Sequence, residues 1–305
     1  MLTHLVEYYS EGELVRANWR TPDRVTGRLP AIIQGPGWFG LKDANLHDRY
    51  HEAFTAAGYG VLCIDYRGFG DSAGPRGRLS VNGQFEDLVN GVTYLTTRDD
   101  VEPEAIGAFG TGGTGGGNAV LLGAIDARVR AVVSQFPVAD GTDWLRRMRP
   151  EHEWLSYLEQ LDADRRERVV TGTSRLVSPR EEVMVQTPER RRSGFKSDVD
   201  KKVTPTIPLS DVDGVLRYRP VAAAHGMRTP LMLIGVETDA TTPIEHARAL
   251  YDAVRGPRRL LIQRHTSHYA AYDQYAAQVI PQILDWFAAH LRGPGDFVVV
   301  SEDPR

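Results

Sequence analysis

Apolar positions along the chain fall into two alternating patterns. Short runs at 31–34, 61–65, 106–109, 131–136, 231–235 and 260–263 are too brief for helices, and several are rich in Val and Ile. They predict strands, and their near-continuous apolarity predicts burial on both faces, as in a parallel sheet. Between them the apolar spacing changes to three and four residues. Tyr50, Phe54 and Ala57 form one stripe, closed by Gly58 as a candidate C-terminal cap. Phe85, Leu88, Val92 and Leu95 form another. Ile280, Ile283, Leu284, Phe287 and Leu291 form a third, in which Pro281 predicts a first turn or a kink. Strand and helix patterns in alternation predict an α/β fold with a mostly parallel central sheet flanked by helices.

One region breaks the alternation. Residues 140–228 carry 17 basic and 15 acidic side chains, denser than the 25% charged of the whole chain. Trp154, Tyr157, Leu158 and Leu161 have helical spacing there, which predicts an amphipathic helix. Arg190, Arg191, Arg192, Lys201 and Lys202 have acidic neighbours and read as a solvated surface rather than a phosphate site. The region lies between two strand candidates. The expected organisation is therefore a core of 1–137 and 230–305 with an inserted helical cap over 138–229.

Composition narrows the function classes. A formal net charge of −4 argues against a nucleic-acid partner. The single cysteine, Cys63, excludes an intramolecular disulfide and reads as a small buried hydrophobe in its apolar run. No run approaches the ~18 apolar residues of a membrane helix, and the first residues lack a basic segment followed by an apolar one, so the expected location is cytoplasmic.

The most informative segment is Ala105-Ile106-Gly107-Ala108-Phe109-Gly110-Thr111-Gly112-Gly113-Thr114-Gly115-Gly116-Gly117-Asn118-Ala119-Val120. It reads strand, tight glycine turn, helix, and two chemistries use that shape. Gly110, Gly112 and Gly115 satisfy the G-x-G-x-x-G spacing that lets helix N-terminal amides hold a dinucleotide pyrophosphate, with Asp140 as the acidic residue downstream. No lysine follows the glycines, which excludes a phosphate-binding P-loop. The second chemistry is a nucleophile elbow, a strained strand-to-helix turn that lifts a side chain above the sheet.

Residues 106–116 resemble the elbow pattern I-G-x-x-G-[ST]-S-x-[SG]-G-G of the α/β-hydrolase superfamily, near its dienelactone-hydrolase-like and prolyl-peptidase-like esterases. Gly112 stands where those proteins carry the nucleophilic serine. Asp65-Tyr66-Arg67-Gly68-Phe69-Gly70-Asp71-Ser72 is similar to the superfamily's D-Y-R-G-x-G-x-S. Gly235-Val236-Glu237-Thr238-Asp239-Ala240-Thr241-Thr242-Pro243 resembles its acid-bearing G-x-x-D-x-x-x-P, and His268-Tyr269 its H-[FY] pair. The order elbow, acid, histidine is the order the fold uses. The resemblance spans about residues 5–293 and accounts for Asp239, His268 and the D-Y-R-G loop together, so it outweighs the dinucleotide reading of an NAD-dependent oxidoreductase.

The resemblance implies that Asp239 orients His268, the general base, and that His268 rather than His265 fills that role. It implies an oxyanion hole from the backbone N–H groups of Trp38 and Gly113. Phe39, Trp144 and Tyr269 are candidates for an aromatic substrate pocket, with Trp144 equally readable as core. His47 and His51 stand four apart as in H-E-x-x-H, but the glutamate and a third ligand are missing, so they read as exposed helix residues.

The glycine at position 112 leaves three readings: a serine hydrolase disarmed by substitution, a natural serine-less enzyme in which His268 acts on water or on substrate, and a binding module. The expected substrate is an apolar or aromatic small molecule with an ester, thioester, lactone or C–C bond beside a carbonyl. Cofactor-free lyase or cyclase chemistry is the alternative. Neither a metal nor an organic cofactor is implied, no membrane partner is expected, and a symmetric homodimer is the default assembly.

Overall fold

In the computed structural model, described for residues 1–184, 187–189 and 202–291, the chain is built around an eight-stranded sheet. Its strands are β1 (Leu2–Ser10), β2 (Glu13–Thr21), β3 (Leu29–Gly35), β4 (Gly60–Ile64), β5 (Val101–Thr111), β6 (Val129–Gln135), β9 (Leu231–Val236) and β10 (Arg258–Gln263). The two-residue strands β7 (Leu176–Val177) and β8 (Ile207–Pro208) pair apart from it. The sheet order is β1-β2-β4-β3-β5-β6-β9-β10. β2 runs antiparallel to β1 and β4, and every other pairing in the sheet is parallel.

All six expected strands are present. In all but the half-exposed edge strand β10, alternate residues face two buried apolar layers, as expected of strands covered on both sides. Ile33, Leu62, Ala108, Val132 and Leu233 pack with Leu88, Val92 and Leu95 of α2 (Val81–Thr96) and with Ala119, Val120 and Leu122 of α3 (Gly113–Ile125). Ile32, Val61, Phe109, Val133 and Ile234 pack on the opposite face with Tyr50 and Phe54 of α1 (Asp48–Ala56) and with Ile283 and Phe287 of the final helix (Ala276–Leu291). Gly58 closes α1 at φ +89°, in the left-handed region. Cys63 is fully buried in β4, and burial pushes its thiol up to about 12.

Between β6 and β9 the described residues form α4 (Gly141–Arg147), α5 (Glu151–Thr171), α6 (Asp211–Leu216) and α7 (Pro220–Ala224). Trp154, Tyr157 and Leu161 form the buried stripe of α5, whereas Leu158 faces solvent. Arg190, Arg191, Arg192 and Lys201 lie outside the described residues. The chain then continues through α8 (Ile244–Ala253), α9 (Ala270–Gln274) and α10, the final helix already given.

The structure adds a hairpin, places Pro281 and corrects the expectation for two histidines. The β1–β2 hairpin has no counterpart among the predicted strands: β1 is an edge strand with Leu5 and Tyr9 exposed, so no clean apolar alternation marks it. Its signal is the turn Glu11-Gly12, both residues at positive φ, as a two-residue hairpin connection requires. Pro281 lies inside α10 rather than in its first turn. His47 and His51 are buried, not exposed. His51 sits between the guanidinium of Arg20 and the side-chain carbonyl of Gln34, and burial and Arg20 hold it well below the usual imidazole range.

Candidate active site

β5 lies mid-sheet between β3 and β6, and the candidate elbow forms where it turns into α3. Gly112 takes φ +70° and ψ 162°, a combination nearly confined to glycine. Its N–H donates to the Gln135 carbonyl at 2.9 Å, and its carbonyl accepts from Gly116 N–H at 2.7 Å. The turn is therefore fixed to β6 on one side and to α3 on the other. A Cβ on Gly115 would stand 2.5 Å from the Pro36 carbonyl oxygen, so the small residue lets the loop after β3 lie directly on the first turn of α3.

Asp239 follows β9 and His268 follows β10, so both reach the same end of the sheet as Gly112. His268 Nδ1 is 2.7 Å from Asp239 Oδ2, with both side chains buried. The other Asp239 oxygen accepts from the N–H groups of Thr241 at 2.7 Å and Thr242 at 2.9 Å, and the Thr242 hydroxyl donates to Oδ2 at 3.0 Å. Burial alone would raise the Asp239 carboxyl, but the charge and hydrogen bond of His268 and the two backbone N–H groups outweigh it and hold it below the ordinary value. With Nδ1 held by Asp239, Nε2 is the ring nitrogen left for the role of base. His265 is exposed and does not share in this pair.

The loop after β3 presses on the elbow. Gly37 Cα is 3.5 Å from the place of a Cβ on Gly112, and Trp38 follows it. Gly113 is the first residue of α3, where an N–H has no intrahelical acceptor. The D-Y-R-G segment braces this loop. The Tyr66 hydroxyl donates to the Pro36 carbonyl at 3.0 Å, and Asp65 Oδ1 accepts from Lys42 N–H at 2.8 Å. Lys42 Nζ, itself buried, reaches Asp65 at 3.2 Å, Asp43 at 2.7 Å and Asp71 at 2.5 Å.

The aromatic candidates gather at the same place. The Trp38 ring meets Trp144 edge-on at 5.0 Å, and Phe39 lies 5.8 Å from Trp38. Trp144 comes within 3.5 Å of a Cβ placed on Gly113, and its Nε1 donates to the Thr241 carbonyl at 2.8 Å, so it is at once core and site wall. Tyr269 stands 4.9 Å from the His268 ring. Sequence reasoning missed Phe136 and Tyr272 as site neighbours. Phe136 holds a positive φ of 56° at the end of β6 and lies 5.1 Å from the His268 ring and 4.9 Å from Tyr272. Tyr272 follows His268 by four residues, the one signal of its proximity that the sequence carries. Asp140, the acidic residue of the dinucleotide reading, caps α4 by accepting from Asp143 N–H at 2.9 Å and pairs with Arg219.

A mostly parallel sheet with an elbow after its central strand, and an acid and a histidine after two later strands, defines the α/β-hydrolase fold. The chain belongs to the X-Pro dipeptidyl-peptidase (S15) family, whose sequence pattern matches residues 11–270. It is thus a member of a hydrolase family. It is 31% identical over 270 residues to the uncharacterised 31.7 kDa protein of the traX-finO intergenic region of Escherichia coli, covering 86% of this chain and 91% of that protein. It is 24% identical over 286 residues to the thiohydrolase aneE of Aspergillus aculeatus, covering 86% of each. Among solved structures, the α/β hydrolase GrgF from Penicillium sp. sh18 superposes with a TM-score of 0.78 at 23% identity, over 95% of this chain and 99% of that one. Among the described residues, no helix is long and apolar enough to cross a membrane.

Proposed function

We propose that this chain hydrolyses an ester, thioester or lactone of an apolar or aromatic small molecule without a serine nucleophile, using His268 to activate water. The observation that carries the reading is the buried Asp239–His268 pair at 2.7 Å, intact beside an elbow whose residue 112 is glycine. A module that only binds has no use for an oriented imidazole with an ionised partner.

The steps balance without a covalent enzyme intermediate. His268 Nε2 takes a proton from water as the oxygen bonds to the substrate carbonyl carbon. Asp239 stabilises the imidazolium so formed. The carbonyl π pair becomes an oxyanion facing the backbone N–H groups of Trp38 and Gly113. Collapse re-forms the carbonyl, breaks the bond to the leaving oxygen or sulfur, and returns the proton from Nε2 to that leaving group. Trp38, Phe39, Trp144 and Tyr269 supply an apolar wall, and the segment over 138–229 acts as a cap above it. The likeness to a thiohydrolase favours thioesters within this class.

The test is turnover of p-nitrophenyl acetate, p-nitrophenyl butyrate and phenyl thioacetate by this chain and by His268→Ala, with Gly112→Ser beside them. The expected result is slow turnover with no initial burst, lost in His268→Ala. Gly112→Ser should show a burst from an acyl-enzyme. Activity that survives His268→Ala refutes the reading.

A further inference from the structure

Tyr272 lies on α9, buried, with its ring edge-on to Phe136 at 4.9 Å and 5.8 Å from the His268 ring. Its hydroxyl oxygen is 3.4 Å from the place of a Cβ on Gly112. That contact puts a phenol hydroxyl beside the place where an elbow serine would present its own oxygen. It also puts that phenol on the same side of the elbow as the base. We propose that Tyr272 is a catalytic residue that holds the attacking water by a hydrogen bond, in the place where serine hydrolases of this fold hold the serine oxygen. This rests on the direct-water reading given above and names the group that makes it workable.

Without a hydroxyl at position 112, the water has only His268 to fix it, and one hydrogen bond does not define an attack direction. A second from Tyr272 does. Burial, with Tyr50, Asp239 and Tyr269 nearby, pushes the Tyr272 hydroxyl well above the ordinary phenol value, so it keeps its proton. Tyr272 is therefore a donor and not a nucleophile. During the reaction it gains and loses no proton: water gives one to His268 Nε2, and the same proton leaves with the alcohol or thiol. Tyr272→Phe removes only the oxygen and retains the ring that packs on Phe136.

The experiment compares kcat and KM for p-nitrophenyl acetate in four chains: the parent, Tyr272→Phe, Gly112→Ser, and the double variant. His268→Ala is a fifth, and thermal unfolding of each checks the fold. In the parent, Tyr272→Phe should lower kcat about 10- to 100-fold with little change in KM. In the Gly112→Ser background the same change should cost at least tenfold less, because the serine carries its own oxygen to the carbonyl. An equal loss in both backgrounds means a packing role and overturns the proposal. No loss in a parent that His268→Ala still silences overturns the Tyr272 role and leaves the direct-water reading standing. A parent inert beside an active Gly112→Ser refutes both.

Discussion

Replacing Lys42 by Met probes how the D-Y-R-G segment fixes the candidate oxyanion loop. Lys42 and Asp65 are each about 2% exposed at the side chain, and Nζ–Oδ2 is 3.2 Å. At an effective dielectric of about 20, two unit charges at that distance attract by roughly 5 kcal/mol. Desolvation of both ions offsets much of this. Removing one partner nevertheless leaves the other charge buried and unpaired, which costs about 3–5 kcal/mol. Asp43 and Asp71 are 42% and 62% exposed, so losing their contacts adds little. Burial already raises the Asp65 carboxyl, against the opposing pull of the Asp71 and Lys42 N–H groups and the Lys42 charge. Without the ammonium it rises further. A carboxyl raised in the folded state contributes stability below its unfolded value and loses it as pH climbs through the folded value. The Lys42→Met deficit should therefore be small near pH 4 and grow toward pH 8, at up to about 1.4 kcal/mol per pH unit. Urea unfolding from pH 4 to 8 of the parent, Lys42→Met, and Lys42→Met with Asp65→Asn measures it. The double variant should recover most of the loss. A deficit below about 1 kcal/mol, a deficit independent of pH, or a double variant no better than the single would refute the buried-pair account.

Three further outcomes are expected. Tyr66→Phe leaves the Pro36 carbonyl without its 3.0 Å donor and should cost about 1–2 kcal/mol in urea unfolding, with kcat falling more than KM rises if the loop carries the oxyanion donor. Gly112→Ala forces a side chain into φ +70°, ψ 162°. Its Cβ meets only ordinary contacts at 3.4 Å and 3.5 Å, so the cost is backbone strain of roughly 1–3 kcal/mol, read in a melting scan as a fall of several degrees. Burial pushes His246 down to about 4, against the opposing charge of Asp143. A base lowered in the folded state contributes stability above its unfolded value and loses it as pH falls toward 4. His246→Asn, which keeps an acceptor for Ala139 N–H, should flatten the fall in stability between pH 6.5 and pH 4 in the same unfolding assay.

The sequence by itself determined six of the sheet's eight strands, the helices that cover them and the chain order of Gly112, Asp239 and His268. These are local properties: a strand buried on both faces must be apolar throughout, a helix on its surface must carry a stripe, and a sharp turn must be small. The resemblance to a hydrolase family added roles to three positions whose spacing alone said little. Tertiary structure decided the rest. The β1–β2 hairpin is held by its pairing with β4 and not by its own pattern, so an exposed edge strand left no apolar trace. His47 and His51 became interior because β2 and β3 bring Arg20 and Gln34 against α1, partners 31 and 17 residues from His51 in sequence. The brace of Lys42 against Asp65 and the approach of Tyr272 to Gly112 likewise join distant segments. Long-range contacts of this kind depend on how strands are ordered in the sheet, and no residue spacing encodes that order.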